Sequence, residues 1–193
     1  MDIASLLGFL HAAERLKCSE RHCSTSSGRR ESVAEHSWRL ALTAELIRGE
    51  FPELDMDRVV EMCLFHDLGE AVTGDIPTFV KTDSDRRVES GAVDSLLSLL
   101  GEPERSRAAA LFAEMEALET PEAKLYKALD KLEALIQHNE ADISEWLPNE
   151  YSLQLCYGDA ECGFSDFTKR LREAVRLESE EKINASRKFP ENG

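Results

Sequence analysis

Apolar residues recur every three or four positions along most of the chain, which is the spacing of one face of an α-helix. No long segment alternates strictly between apolar and polar residues, as a half-buried strand would. The pattern therefore predicts an all-α fold. We expect helices at about 3–17, 56–70, 85–100, 103–118 and 166–183, and two more that begin after Ser32 and after Thr120.

Local signals indicate where two of these helices begin. Ser32 and Glu35 have the spacing of a capping box, in which each side chain accepts a bond from the other residue's backbone N–H. Thr120 precedes Pro121, and proline is favoured in the first turn of a helix. The helix after Pro121 is apolar almost all the way round, so we expect it to be central. Segment 18–31 is rich in serine and arginine and is expected to be a loop.

The length of 193 residues suits one domain that buries its core without disulfides. The five cysteines are scattered and include no CxxC pair, which indicates reduced thiols rather than a disulfide framework or a thiolate zinc site. Apolar runs are too short for a membrane span, and we expect no signal peptide. These features predict a cytoplasmic protein with no membrane partner.

The net charge of -15 narrows the choice of partners. Proteins that bind nucleic acids need a basic face that displaces counterions from phosphates, so a DNA or RNA polymer is excluded as a partner. A small anionic substrate is compatible with this charge if a metal ion and a few basic side chains surround it at short range.

The candidate chemistry comes from polar residues at positions where the periodicity predicts a core. His36 lies on the inner face of the helix after Ser32, and His66 and Asp67 lie at the inner end of the next helix. Asp130 lies midway along the apolar helix. A buried carboxylate without a partner is costly, and a metal ion would remove that cost. Two imidazoles and two carboxylates suit Mn, Co, Zn or Fe better than Ca.

Each of these residues also has an ordinary structural explanation. A lone buried histidine is more often hydrogen-bonded within the core, and a lone aspartate on a helix is more often an ion-pair partner. Lys124, Lys127 or Lys131 could pair with Asp130 at helical spacing. Residue type and spacing leave both explanations open.

Four motifs, in order along the chain, resemble the HD-domain metal-dependent phosphohydrolases and, within them, the 5'-deoxynucleotidase branch. They are LKCSER with Arg21, RESVAEHS with His36, FHDLGEAVTGDIP with His66 and Asp67, and KALDKLEALIQ with Asp130. The match extends over most of the chain. It implies a helical bundle that forms one HD domain over 1–193, with a metal core at about 30–140 and a C-terminal helix at about 164–185.

The resemblance implies one divalent metal ion, for which Mn, Co, Zn, Fe and Mg are the candidates. The implied metal ligands are His36, His66, Asp67 and Asp130. Glu70, one turn after His66, would orient or deprotonate the attacking water.

The resemblance also implies a substrate site. Arg21 would clamp a phosphate with a fork of donors that lysine cannot imitate. Asp75 would face the substrate, assisting the water or contacting the sugar and leaving group. Ile76, Pro77 and Thr78 would shape the nucleoside side of the pocket.

The implied activity is hydrolysis of 2'-deoxynucleoside 5'-monophosphates to deoxynucleoside and phosphate. The alternatives are an HD hydrolase of another nucleotide or small phosphate ester and a catalytically silent nucleotide-binding HD sensor. Glu70 and Asp75 favour catalysis, because a site that only binds needs no carboxylate to orient water. The resemblance, with apolar groups near Trp146 and Tyr151, suggests a homodimer.

Four other polar residues have alternative or ordinary interpretations. Lys81 resembles a family lysine after the GDIP loop and would either add positive charge to the site or be solvated at the surface. His138 is expected at the surface or at a helix end. Glu133, one turn after Asp130, would either form an ion pair on its own helix or support a metal ligand. His22 follows Arg21 where the family has an aromatic residue nearby, which is a departure from the family pattern.

Overall fold

The computed structural model describes residues 2–77 and 80–188 and shows a bundle of helices, which confirms the all-α prediction. None of the helices in this part of the chain combines the length and apolarity needed to cross a bilayer. In chain order, the helices are α1 (Ile3–Ala13), α2 (Val33–Leu46), α3 (Met56–Phe65), α4 (Glu70–Thr73), α5 (Asp83–Leu97), α6 (Glu104–Ala117), α7 (Pro121–Glu140), α8 (Glu150–Cys156), α9 (Asp159–Cys162) and α10 (Asp166–Lys188).

Helix α7 forms the centre of the bundle, as its nearly continuous apolar surface predicts. It packs against α2, α3, α6, α9 and α10. Its residues Leu125, Leu129 and Leu132 are almost completely buried. Burial of each such side chain stabilises the fold by about 1.5–3 kcal/mol. Polar residues on α7 that face the bundle therefore lie in a packed environment.

The predicted start of α2 is confirmed. Oγ of Ser32 accepts a hydrogen bond from the Glu35 backbone N–H at 3.2 Å, and the Glu35 carboxylate accepts one from the Ser32 N–H at 2.9 Å. Thr120 likewise caps α7, since its Oγ1 accepts a bond from the Ala123 N–H at 3.2 Å.

Segment 18–31, expected to be a loop, contains part of a two-stranded hairpin. Strands β1 (Glu20–Ser24) and β2 (Arg30–Ser32) pair antiparallel, with Glu20 opposite Ser32 and Ser24 opposite Arg30. The expectation of a plain loop was wrong because the strands are short and are held by a tertiary contact: Gln137 of α7 donates a hydrogen bond to the Ser24 carbonyl at 2.7 Å.

The helix predicted at 56–70 ends earlier, at Phe65. Turns follow it, and a separate short helix, α4, begins at Glu70. Gly69 lies between the two, against α5: a Cβ there would come within 2.9 Å of Cγ of Glu89. A side chain at this point of the break would require α5 to shift, a constraint from a later helix that the local pattern does not show.

Other helix ends differ from the predictions by a few residues. α5 begins at Asp83, where Thr82 forms a second capping box with Asp85. α6 begins at Glu104, so Pro103 precedes the helix instead of occupying its first position. All five cysteines remain thiols, as predicted.

Candidate functional site

His36 lies in the first turns of α2, where the capping box sets its position. The side chain is fully buried. Its Nδ1 contacts the carboxylate of Glu133 on α7, and an ionised carboxylate can only accept, so Nδ1 donates. In the neutral ring, Nε2 then carries the lone pair.

His66 lies at the C-terminal end of α3 and is oriented in the same way. Its Nδ1 is 2.9 Å from the carbonyl oxygen of Cys63, an acceptor, so this nitrogen donates. The Nε2 atoms of His36 and His66 face each other at 3.2 Å. Two lone pairs at that distance repel unless a proton or a cation lies between them.

The carboxylates of Asp67 and Asp130 complete this cluster. Oδ2 of Asp67 lies 3.0 Å from Nε2 of His66 and 3.8 Å from Nε2 of His36. Oδ1 of Asp130 lies 3.4 Å from Nε2 of His36 and 3.9 Å from Nε2 of His66. Ligands at about 2.0–2.1 Å from a tetrahedral ion are themselves about 3.4 Å apart. Each carboxylate oxygen therefore lies at a distance from the two imidazole nitrogens that suits ligands of a single divalent cation.

The electrostatics of the cluster also favour positive charge. Burial and Arg21 lower the pKa of His36, but Glu133 and Asp130 outweigh them and raise it to about 9. Burial raises the pKa of Asp67, yet His66 and His36 hold it below its ordinary value. A proton or a metal ion at the imidazoles therefore offsets the buried carboxylates.

Both explanations considered for Asp130, an ion pair with a lysine and a metal ligand, agree with its contacts. Its Oδ2 accepts from Nζ of Lys127 at 2.8 Å, and Nζ of Lys131 lies 3.7 Å away, so the ion pair exists. Its Oδ1 faces the imidazoles. Burial raises the pKa of Asp130, but the two lysines lower it well below its ordinary value, so the carboxylate is ionised.

Arg21 reaches the cluster from strand β1. Its Nε lies 3.1 Å from a carboxylate oxygen of buried Glu31, and its Nη1 lies 3.9 Å from Oδ2 of Asp67. Glu31 holds one edge of the guanidinium, while the rest borders the cavity. Nothing in the residue pattern of segment 18–31 indicated the role of Glu31.

Glu70 begins α4 and is buried beside Asp67. Its Oε2 has no hydrogen-bond partner among the residues that the structure describes. Burial, with the charges of Asp67 and Asp75, raises the pKa of Glu70 to about 9, against the opposing effect of Lys81. A buried carboxyl oxygen without a partner, next to the cluster, is suited to bind a water molecule.

The loop after α4 leaves the helix at Gly74, whose φ of +74° is strained for other residues. Asp75, Ile76 and Pro77 follow and line the cavity. Burial raises the pKa of Asp75, which Arg21 partly opposes. Thr78, the remaining residue predicted for the substrate site, lies outside the described residues.

A cavity of about 570 Å³ opens from the cluster. Despite the acidic chain, its walls carry the local basic groups that a small anion requires. These are Arg21, Lys81, Arg86, Lys127 and Lys131.

Tertiary contacts decide between the alternatives for several residues. The Lys81 side chain is only 15% exposed; it contacts Glu89 and lies 3.7 Å from Oε1 of Glu70, which favours a charge in the site over a solvated position. His138 lies at the end of α7, as expected, but is buried on the cavity wall. Trp146 is a packing residue, 6% exposed, and stacks on His138.

Of the two interpretations of Glu133, the structure favours support of the cluster over an ion pair on its own helix, because Glu133 pairs with His36 and Arg39 of α2. Its place one turn after Asp130 was the signal for contact with the cluster. Arg39 donates to it from Nε at 2.7 Å. The structure thus joins all the predicted ligand residues and supports them with groups from two helices.

Comparison with known proteins agrees with this geometry. The HD domain family model matches residues 13–171. The human protein 5'-deoxynucleotidase HDDC2 is 32% identical, over 93% of this chain and 88% of its own. The Schizosaccharomyces pombe protein 5'-deoxynucleotidase hdd1 is 30% identical, over 74% of this chain and 79% of its own.

A solved structure of similar shape is a predicted metal-dependent phosphohydrolase from Magnetospirillum magnetotacticum MS-1. It superposes with a TM-score of 0.79 at 29% identity, covering 94% of this chain and 93% of its own. The matched region, 13–171, contains Arg21 and all four residues of the cluster. The chain belongs to the HD-domain family.

Proposed function

We propose that this protein is a metal-dependent phosphomonoesterase that hydrolyses 2'-deoxynucleoside 5'-monophosphates to deoxynucleoside and phosphate. The observation that carries the proposal is that Oδ2 of Asp67 and Oδ1 of Asp130 each lie 3.0–3.9 Å from the Nε2 atoms of both His36 and His66. The names of the human and yeast relatives support the choice of substrate.

In this proposal, the four residues hold one divalent ion, and Mn, Co, Zn, Fe and Mg are the candidates. Both imidazoles offer Nε2 because their Nδ1 atoms donate elsewhere. Such an ion, when bound, supplies Lewis acidity, which withdraws charge from a phosphoryl oxygen and makes water a stronger acid.

The phosphate is bound by Arg21, whose orientation Glu31 maintains. Lys81 and Lys127 add positive charge to the cavity wall. These groups neutralise a dianionic phosphate ester in a protein whose net charge of -15 would otherwise repel it.

The chain's own carboxyl groups handle the water and the leaving group. Glu70 orients the attacking water through its oxygen Oε2. The positive charge of the proposed ion would lower the raised pKa of Glu70, so that its carboxylate can take the proton of the water as oxygen bonds to phosphorus. The bond from phosphorus to the 5'-oxygen breaks, and that oxygen leaves with the proton that Glu70 took from the water, which returns Glu70 to its carboxylate form. We assign contact with the sugar and leaving group to Asp75, and the nucleoside side of the pocket to Ile76, Pro77 and Thr78.

The test is phosphate release from a panel of deoxy- and ribonucleoside 5'-monophosphates by metal-stripped protein with Mn, Co, Zn, Fe or Mg added back. Asp67→Ala removes one proposed ligand; Asp94→Ala removes an exposed aspartate of α5 and is the matched control. We expect metal-dependent release that favours deoxynucleotides in the wild type and in Asp94→Ala, and no release in Asp67→Ala.

Two other functions predict different results. Phosphate release only from other phosphate esters would show that the protein is a phosphohydrolase with a different substrate. A nucleotide-binding sensor predicts binding without turnover in both the wild type and Glu70→Gln. Catalysis instead predicts that Glu70→Gln binds metal and nucleotide but loses turnover.

We also propose that residues 1–193 form one domain, with the metal core at about 30–140 and the C-terminal helix at about 164–185, and that the protein is a cytoplasmic homodimer. Buried Trp146 no longer contributes to the case for a dimer. Light scattering after size-exclusion chromatography measures the oligomeric state directly.

A further inference from the structure

A second cluster of metal-binding residue types borders the same cavity. It is formed by His22, His138 and Glu150, none of which belongs to the first cluster. Nε2 of His22 lies 2.7 Å from Oε1 of Glu150, and Nε2 of His138 lies 3.3 Å from Oε2. One donor atom from each of the three side chains lies within 4.8 Å of the others.

Tertiary packing brings these residues together from three elements. His22 lies on β1, His138 in the last turn of α7 and Glu150 at the start of α8. The Leu147 N–H donates to Oε2 of Glu150 at 2.7 Å, which anchors the carboxylate. Trp146 stacks on His138 with ring centroids 4.6 Å apart and donates to its carbonyl oxygen at 3.1 Å.

His138 provides an independent indication of a ligand. The residue is only 8% exposed, and its Nε2 has no hydrogen-bond partner among the described residues, although Glu150 is within ion-pair distance. A buried polar nitrogen left without a hydrogen bond is destabilising. A cation at the cluster would use that nitrogen as a ligand and remove the cost.

We propose that His22, His138 and Glu150 bind a divalent transition-metal ion of the zinc type, separate from the ion proposed at the first cluster. Two imidazoles and one carboxylate are a known zinc ligand set that leaves a fourth position for water or substrate. Imidazole ligands favour Zn, Cu, Fe or Ni over Mg or Ca.

The cavity links this site to the proposed function. Arg21 and His22 are adjacent, and the second cluster lines the same cavity as Asp67 and Asp130 of the first, the cavity that would take the nucleotide. An ion at the second cluster would therefore add positive charge beside an anionic substrate, a consequence that rests on the proposed nucleotidase function. Binding of the ion does not rest on it, so the test contains no nucleotide.

The test loads the full-length protein with one equivalent of Zn²⁺ and then titrates Co²⁺, whose visible absorption reports its ligands. Wild type is compared with His22→Gln and Glu150→Gln; the latter keeps an amide oxygen that can accept from Leu147. The matched control is His11→Gln, an exposed histidine on α1. Bound metal is also counted after gel filtration.

We expect wild type and His11→Gln to take up a Co²⁺ ion that His22→Gln and Glu150→Gln bind at least about tenfold more weakly. Equal Co²⁺ uptake and spectra in wild type and His22→Gln would overturn the proposal. The His22 side chain is 36% exposed, so this variant decides the question even if Glu150→Gln fails to fold. If Co²⁺ binds as expected but no nucleotide of the panel is hydrolysed, the proposed function is rejected and the second metal site is retained.

Discussion

At the scale of single residues, Glu133 determines how His36 presents its ring to the first cluster. It is 2% exposed, accepts from Nδ1 of His36 and is held by Arg39. Burial raises the pKa of Glu133, but His36, Arg21 and Arg39 outweigh that effect and lower it, so the group remains a carboxylate. A carboxylate on Nδ1 fixes the ring tautomer and increases the basicity of Nε2.

We predict that Glu133→Gln weakens metal binding at the first cluster by about 10–100-fold. Calorimetric titration of metal-stripped protein measures the change. Glu140→Gln is the matched control, because Glu140 also pairs with Arg39 but is partly exposed and does not contact His36. Equal affinities in the two variants would show that the Glu133 contact does not support the metal ligand.

Residue type alone did not distinguish a surface position from a position in the site for Lys81 and His138, for a common reason. A lysine or a histidine is found both at the surface and in a site, and only its neighbours distinguish the two. Glu89 of α5 draws Lys81 toward Glu70, and the ring of Trp146 covers His138. Neither neighbour is close enough in sequence to produce a pattern.

At the scale of elements, the capping box of α2 does more than begin a helix. It sets the rotation of the first turns and so points His36 at α7. The second capping box, at Thr82 on α5, has the same local geometry but supports no residue of the first cluster. Comparing the two caps therefore distinguishes the contribution of a cap to helix stability from its contribution to the position of His36.

We predict that Ser32→Ala and Thr82→Ala each lower the free energy of unfolding by about 1 kcal/mol. Only Ser32→Ala should also weaken metal binding, since it loosens the turn that carries His36. Urea denaturation gives the stabilities, and metal titration gives the affinities. If both variants lost metal affinity equally, the effect would come from general destabilisation.

Glu114 of α6 links its helix to α3 and to the start of α7. Its carboxylate accepts from Nη2 of Arg58 on α3 at 2.8 Å and from Oγ1 of Thr120, the cap of α7, at 2.7 Å. Burial raises the pKa of Glu114, but Thr120 and Arg58 outweigh it and hold the pKa below the ordinary 4.5. The stabilisation is therefore present above that ordinary pKa and is lost as the pH falls through the lower, folded-state value.

We predict that Glu114→Gln is less stable than wild type by about 0.5–1 kcal/mol at pH 7. The difference should shrink as the pH falls below 4.5, because wild-type Glu114 then becomes protonated. Thermal melting across this pH range measures it, with the exposed Glu116→Gln of α6 as control. A difference that stayed constant down to pH 2 would point to lost packing instead of lost charge.

At the scale of the whole molecule, the first cluster connects α2, the end of α3 and α7, so a bound ion would tie the bundle together. A ligand that binds only the folded state at 100 times its Kd stabilises by about 2.7 kcal/mol. For a chain of this size, that corresponds to about 5–10 °C in Tm. We predict a fall in Tm of this order when a chelator removes metal from the wild type.

Asp67→Ala should lose most of that response, because the first cluster then lacks a ligand. Differential scanning calorimetry with and without chelator measures both proteins, and Asp94→Ala again serves as control. A chelator effect of the same size in Asp67→Ala would place the stabilising ion elsewhere in the protein.

The net charge of the chain bears on its affinity for large polyanions but does not predict the charge of a local site. The value of -15 predicts weak affinity for polyanions and suggests no basic pocket. The cavity nevertheless gathers Arg21, Lys81 and Lys127 from a hairpin, a loop and a central helix. A total charge is a sum over the chain, whereas a site depends on charges within a few ångströms.

The sequence by itself determined the helical class, the start of α2, the centrality of α7 and the residues of the first cluster. These features follow from periodicity and capping, which act over one or two turns, or from motifs that resemble a family. Only the tertiary structure decided the hairpin, the break at Gly69, the burial of Lys81 and the meeting of His22, His138 and Glu150. These depend on contacts between residues far apart in the chain, such as the 128 positions that separate His22 from Glu150, and local patterns do not encode them.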